Sequence, residues 1–319
     1  MDGIEPKIEI FKPFGEAFEL MKKILFQPFD LGKWCVIGFA VFLTHLNGGG
    51  FTGFRPPLGN NWTNHVASER EDIRSIIDQL GPIWLSVIGV GILVLIAIFI
   101  VLTWVRARGH FVFIDCIVRN RAAIVQPWNE YRMEGNSYFV FLLLVTLVIL
   151  SVVAVFVVLI IAGVVLFEHR DAHAPVAVLS LILMGIGLFL FLALFGVVVQ
   201  FVAPLMYRRR CKAWAAFVEI ISSMGKHPGP LMLYFLFSIV LGIAVAIVAF
   251  TATCLTCCIA AIPYVGTVIL LPIFVFMQSF LLLFLRQFGP DYDVWAGLAQ
   301  GELGPAEGSS SPTPPPIQS

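Results

Sequence analysis

The chain is poor in charge. Asp, Glu, Lys and Arg make up only 13% of its 319 residues, about half the share of an ordinary soluble protein. The two signs balance, twenty residues each, so the net charge is zero. That excludes a global field able to gather nucleic acid or an acidic partner. Cysteine is also scarce: the six residues lie in or beside apolar stretches, unlike a secreted disulfide framework. No phosphate-cradling G-x-x-x-x-G-K, G-x-G-x-x-G, H-E-x-x-H or G-x-S-x-G pattern occurs. The polar connections are too short to hold a separate catalytic domain. These absences point to a non-enzymatic chain with no cofactor. No cleavable leader is expected either, because the first apolar run starts only at Phe29 and no A-x-A-like site follows it.

What the sequence has is apolar surface. Hydrophobic residues reach 59%, Phe alone contributes 29, and the mean hydropathy is +0.93. Residues Tyr138 to Phe167 run without a single charge. A soluble core helix alternates an apolar with a polar face, whereas this run is apolar all round and exceeds the roughly 20 residues a bilayer core requires. Comparable runs occur at about 29–46, 83–105, 176–203, 231–253 and 263–285. The pattern predicts an all-α polytopic membrane protein, with six transmembrane helices in one membrane domain over 29–286. The first run is short, so Asp30 and Lys33 belong at its edge. Pro204 and Pro272 should bend the helices that carry them.

Amphipathic segments flank the spans. In the N-terminal segment, 1–28, Phe11, Phe14, Phe18, Met21 and Leu25 recur at helical spacing, with Lys12, Glu16, Glu19, Lys22 and Lys23 between them. This predicts a helix lying in the interface or packed on the bundle. A short helix near Trp128–Met133, stopped near Gly135, and another over Ala213–Met224, with Trp214, Phe217, Val218 and Ile221 on one side, repeat the theme. An aromatic segment thus precedes a membrane hairpin three times, a weak internal repeat that chance likeness between apolar helices would also produce. The C-terminal segment, 287–319, ends in a Pro/Ser-rich stretch expected to be disordered.

Counting lysines and arginines gives the orientation. The N-terminal segment with Lys33, 106–137, 207–230 and Arg286 together hold sixteen, against four in the alternate connections. The excess places both termini in the cytoplasm, a parity that six spans satisfy. The expected location is a bacterial cell inner membrane, with the interfacial helices on its cytoplasmic side.

Candidate binding residues follow from the same positions. Arg106, Arg108, Arg119, Arg208, Arg209, Arg210 and Lys212 are placed to hold anionic headgroups or simply to fix topology. Asp115 and Arg119, four apart, can pair on one helix face. Gln200 and Gln278 are the deepest large polar side chains, suited to line a solute path or to bond across helices. His169 with His173, and Cys254 with Cys257 and Cys258, have spacings that metals or redox chemistry use; a polar turn and small apolar packing are the ordinary readings, so no metal is expected.

The stretch RARGHFVFIDCIVRNRAAIVQPWNEYRMEGNSYFVFLLLV, residues 106–145, resembles a group of uncharacterised bacterial multi-span proteins and the membrane domain attached to some bacterial glycerophosphodiester phosphodiesterases. There too a span continues into an Arg-rich extension, an aromatic amphipathic segment and the next span. The resemblance implies fold and location, and carries no catalytic residue onto this chain. The function expected is therefore a non-enzymatic membrane module that organises lipids or partner proteins. Its expected partners are membrane lipids or a membrane protein, and no nucleic acid. The alternative is a small-solute or lipid transporter.

Overall fold

A computed structural model describes residues 11–46, 82–167, 174–226, 228–255 and 263–296. Among them the regular structure is helical throughout, with no strand. The helices are α1 (Phe11–Phe26), α2 (Leu31–His45), α3 (Pro82–Val118), α4 (Val125–Glu130), α5 (Arg132–Phe167), α6 (Ala174–Gln200), α7 (Val202–Arg209), α8 (Ala213–Lys226), α9 (Pro228–Leu255), α10 (Pro263–Ile269) and α11 (Leu271–Arg286), followed by a 3₁₀ turn, Pro290–Tyr292.

Four stretches are long and apolar enough to cross a membrane: Ser86–Val118, Arg132–Ala162, Ile182–Arg209 and Pro228–Ala252. At 37 residues, α3 is about 55 Å long, well beyond a hydrocarbon core of about 30 Å. Its two parts differ. Every residue from Ser86 to Val101 is exposed, whereas Ala107, Phe111, Val112, Ile114 and Cys116 are buried. The other long helices show the same division, so the packed core is a layer at one end of the bundle. It gathers the last third of α3, the starts of α5 and α9, the end of α6 with α7, and α11.

α2 runs beside that last third of α3. Lys33 Nζ donates to Asn120 Oδ1 at 2.7 Å at one end. At the other, Gly109 lies so close that an added Cβ would sit 2.7 Å from Leu43 Cβ. Asp30 starts α2, its carboxylate accepting from Gly32 N at 2.8 Å. Only 15 residues long, α2 spans about 22 Å, and it is not among the four long apolar helices.

Both expected bends are breaks. The sixth run divides at Leu270 into α10 and α11. Pro272 has no N–H, which leaves the Val268 carbonyl without its helical donor; Trp34 Nε1 donates to that oxygen at 2.9 Å. The fourth run divides at Phe201, with Pro204 in the first turn of α7. Gly135, by contrast, does not stop a helix. α5 starts at Arg132 and runs through it, and its missing Cβ admits Arg108, whose Cγ would lie 2.8 Å from that atom.

The two amphipathic helices are each apolar on two sides. α1 buries Pro13, Ala17, Met21, Ile24 and Leu25, packing against α11, while Phe11 and Phe18 stay exposed. α8 buries Ala213, Ala216, Ile220 and Met224, while Trp214, Val218 and Ile221 stay exposed. The stripe read from sequence is thus split in both: Met21 and Leu25 of α1 are buried and Phe14 packs on Phe237, Phe276 and Phe280, and Phe217 of α8 packs on Phe141 and Phe195, while the remaining bulky residues face outward. Beyond α11, Val294 is fully buried and Arg286 Nε meets Asp293 Oδ2 at 3.0 Å, which ties the chain back to the packed layer.

Candidate functional site

The packed layer is built around one carboxylate. Asp115 sits in the apolar run FVFIDCIV of α3 and is fully buried. A lone acid there requires partners, and three residues supply them. Arg119 Nε, one turn on, lies 3.1 Å from Oδ1. Arg121 donates to Oδ2 through Nε at 3.0 Å and Nη2 at 2.9 Å. Tyr207 of α7 donates its hydroxyl to Oδ1 at 3.0 Å. Burial alone would lower the pKa of Arg119, but Asp115, Tyr207 and Glu130 outweigh it and raise it, so the guanidinium stays charged.

Aromatic rings extend the layer. Tyr131, at the joint between α4 and α5, stacks on Phe111 at 5.8 Å and on Tyr207 at 4.8 Å. The Arg210 guanidinium lies 3.8 Å from its ring centroid. Burial pushes the Tyr131 phenol up to about 12. Arg210 has φ +51°, left-handed for a non-glycine residue, which costs about 1–2 kcal/mol. Contacts with Glu130 and Glu134 hold it there.

The sequence-derived basic residues divide between structural and open positions. Arg119 joins Glu130 at 2.9 Å, and Arg209 joins Glu219 at 2.8 Å and Asp291 at 3.4 Å. Arg108 donates to Asn136 Oδ1 at 2.9 Å and lies over Trp104 and Trp128. Arg208 is partly buried and Lys212 exposed. Arg106 is partly buried, and among the described residues it makes no hydrogen bond or ion pair; its Nε is shut from solvent. Gln200 is exposed and Gln278 partly buried, and no hydrogen bond joins either to another described residue.

The arrangement brings together two joints that are far apart in sequence. Asp115 and Tyr207 are 92 positions apart, Arg210 and Glu130 80 apart. Sequence reasoning paired Asp115 with Arg119 but missed Arg121, Glu130, Tyr131 and Tyr207. The available signal was Asp115 itself, the one acid in an apolar helical run. His169, His173, Cys257 and Cys258 lie outside the described residues, and Cys254 is a free thiol. No group of metal-ligating side chains occurs among the described residues.

The chain belongs to a family of unknown function (DUF7544), whose match covers residues 9–286 and so takes in α1 through α11. No curated protein and no solved structure matches it. The resemblance to the membrane domain of glycerophosphodiester phosphodiesterases thus gains no support from these comparisons.

Proposed function

We propose that the protein is a non-enzymatic module of a bacterial inner membrane that crosses six times and organises lipids or a partner protein from the cytoplasmic face. The observation that carries this reading is the packed layer, in which most of the arginines fasten hairpins together and two aromatic-edged helices flank the bundle. Exposed Phe11 and Phe18 of α1, and Trp214, Val218 and Ile221 of α8, suit helices that lie in the headgroup region. Lys12, Lys23 and Lys226 on the same helices are exposed, as a contact with anionic lipid requires.

The six apolar runs and the parity of the lysine and arginine count support the crossing number, and the ties at the two ends agree with that parity. Lys33 beside Asn120 and Asp291 beside Arg209 hold both ends of the membrane domain at the packed layer. α3 begins and α9 ends a helix length away from it. An even number of crossings joins two ends that lie on one side.

Cysteine labelling tests the topology. In a cysteine-free background, Pro82→Cys and Leu255→Cys, at the helix ends beyond the apolar stretches, should react with an impermeant maleimide in intact cells, and Lys12→Cys and Ser222→Cys only after permeabilisation. Labelling of Lys12→Cys from outside would overturn the orientation. Native mass spectrometry of the full chain, released from mild detergent, tests the role. A stoichiometric protein or retained phospholipid is expected; a bare chain that instead moves a solute across vesicles would replace this reading with transport.

A further inference from the structure

We propose that Arg106, His110 and Tyr138 form a binding site for a phosphate group, supplied by a phospholipid headgroup at the inner end of the spans. This rests on the lipid-organising reading above and gives it a location. Arg106 and His110 are four apart on α3 and share a face. His110 meets the Tyr138 ring of α5 edge-on at 5.7 Å. α2 crosses beside them, with Leu43 and Thr44 against Gly109, which brings His45 to the same level.

Each of the three has hydrogen-bonding capacity to spare. Tyr138 is 3% exposed, yet among the described residues its hydroxyl makes no hydrogen bond, and neither does the His110 ring. Arg106 Nε is shut from solvent with no partner among the described residues, and such a group is costly. Arg106 differs in the same way from its neighbours. Arg108 has Asn136, Arg119 and Arg121 have Asp115, and Arg209 and Arg210 have carboxylates. His45 closes one side, its Nδ1 held 2.8 Å from the Val41 carbonyl and from Thr44 Oγ1. A guanidinium, a phenol and an imidazole N–H are donors, and the charge is positive, so the complement is an oxyanion.

Depth selects the phosphate of a lipid. Ser86 to Val105 is 20 residues, about 30 Å of helix, the thickness of a hydrocarbon core. Arg106 is the next residue. Trp104 and Trp128 lie edge to face at 5.9 Å nearby, as aromatic residues do at a membrane–water boundary.

The test uses the full chain in nanodiscs of phosphatidylethanolamine and phosphatidylglycerol, with bound lipid read by native mass spectrometry. Wild type should retain phospholipid. Arg106→Gln should lower retention at least about fivefold, the equivalent of one headgroup contact near 1 kcal/mol. Tyr138→Phe should lower it too, and exposed Lys212→Gln should not. Excess inorganic phosphate that leaves the lipid in place supports a headgroup site; phosphate that displaces it supports the same pocket with a soluble ligand. Equal retention by wild type, Arg106→Gln and Tyr138→Phe overturns the site while leaving the lipid-organising reading intact. Wild type that retains neither lipid nor phosphate overturns both. Should Arg106→Gln fail to fold, Tyr138→Phe, which changes no charge, decides.

Discussion

At the level of single residues, Asp115 matters because of what its removal would leave behind. Arg119 and Arg121 would keep their charges in a buried layer with half their partners gone. Asp115→Ala should therefore destabilise the protein by about 3–5 kcal/mol, whereas Tyr207→Phe deletes one hydrogen bond and should cost about 1 kcal/mol. Equilibrium unfolding in mixed micelles, followed by tryptophan fluorescence, separates the two. Equal losses would mean that the carboxylate is not the centre of the layer. Tyr131 makes a pH prediction. Its folded pKa of about 12 lies above the ordinary 10, so the neutral phenol is favoured by folding. That contribution is whole below pH 10 and is lost as pH rises towards 12. Tyr131→Phe should remove this part of the alkaline decline, and a decline of unchanged steepness would assign it to other groups.

At the level of elements, a pattern recurs. The arginine at the end of an apolar helix reaches an acid in the segment that follows: Arg119 to Glu130, Arg209 to Glu219, Arg286 to Asp293. α1 packs on the last of these helices, α11, so the series closes on itself. Arg209 and Glu219 are each about a third exposed, so such a pair contributes below about 1 kcal/mol and acts mainly to orient. Close crossings matter more. An alanine at Gly109 would put Cβ 3.1 Å from the Leu43 carbonyl carbon and 3.2 Å from Thr44 N, while Gly89 has nothing within 4 Å. Gly109→Ala should cost about 1–3 kcal/mol through overpacking, and Gly89→Ala should be nearly neutral. A thermal melt of both variants checks this, and equal melting points would contradict the close crossing. Much of this level was legible in the sequence. The long helices follow from runs such as Tyr138–Phe167, and the break before α11 from Pro272. The facing of α1 and α8 was legible only in part: Met21, Leu25 and Phe217 lie on the packed side as the stripe implies, but Phe11 and Trp214 face outward while Ala17 and Ala216 are buried, because an apolar residue suits lipid as well as it suits the core. The Asp115–Tyr207 contact was not legible, since no local period links residues 92 apart.

At the level of the whole molecule, exposure means two different things at the two ends. Leu95, Phe189 and Phe250 are 67%, 70% and 72% exposed, and Val125 and Met133 are 74% and 78%. Area alone cannot distinguish these sets, but position does: the first three lie on the far parts of α3, α6 and α9, the last two beside the ionic layer. If lipid covers the far parts, Leu95→Arg should resist insertion by about 2.5–3.5 kcal/mol, and Phe189→Arg and Phe250→Arg should follow it. Val125→Arg and Met133→Arg face headgroups or water and should insert as wild type does. Membrane-fraction yield and alkaline-carbonate extraction of the five variants give the readout. Tolerance of arginine at Leu95 and Phe250 would mean that the far parts meet water or a polar cavity, which would favour a transport path over a lipid-facing scaffold. Intolerance there with tolerance at Val125 and Met133 would draw the membrane boundary between Val101 and the ionic layer, at the depth where Arg106 stands.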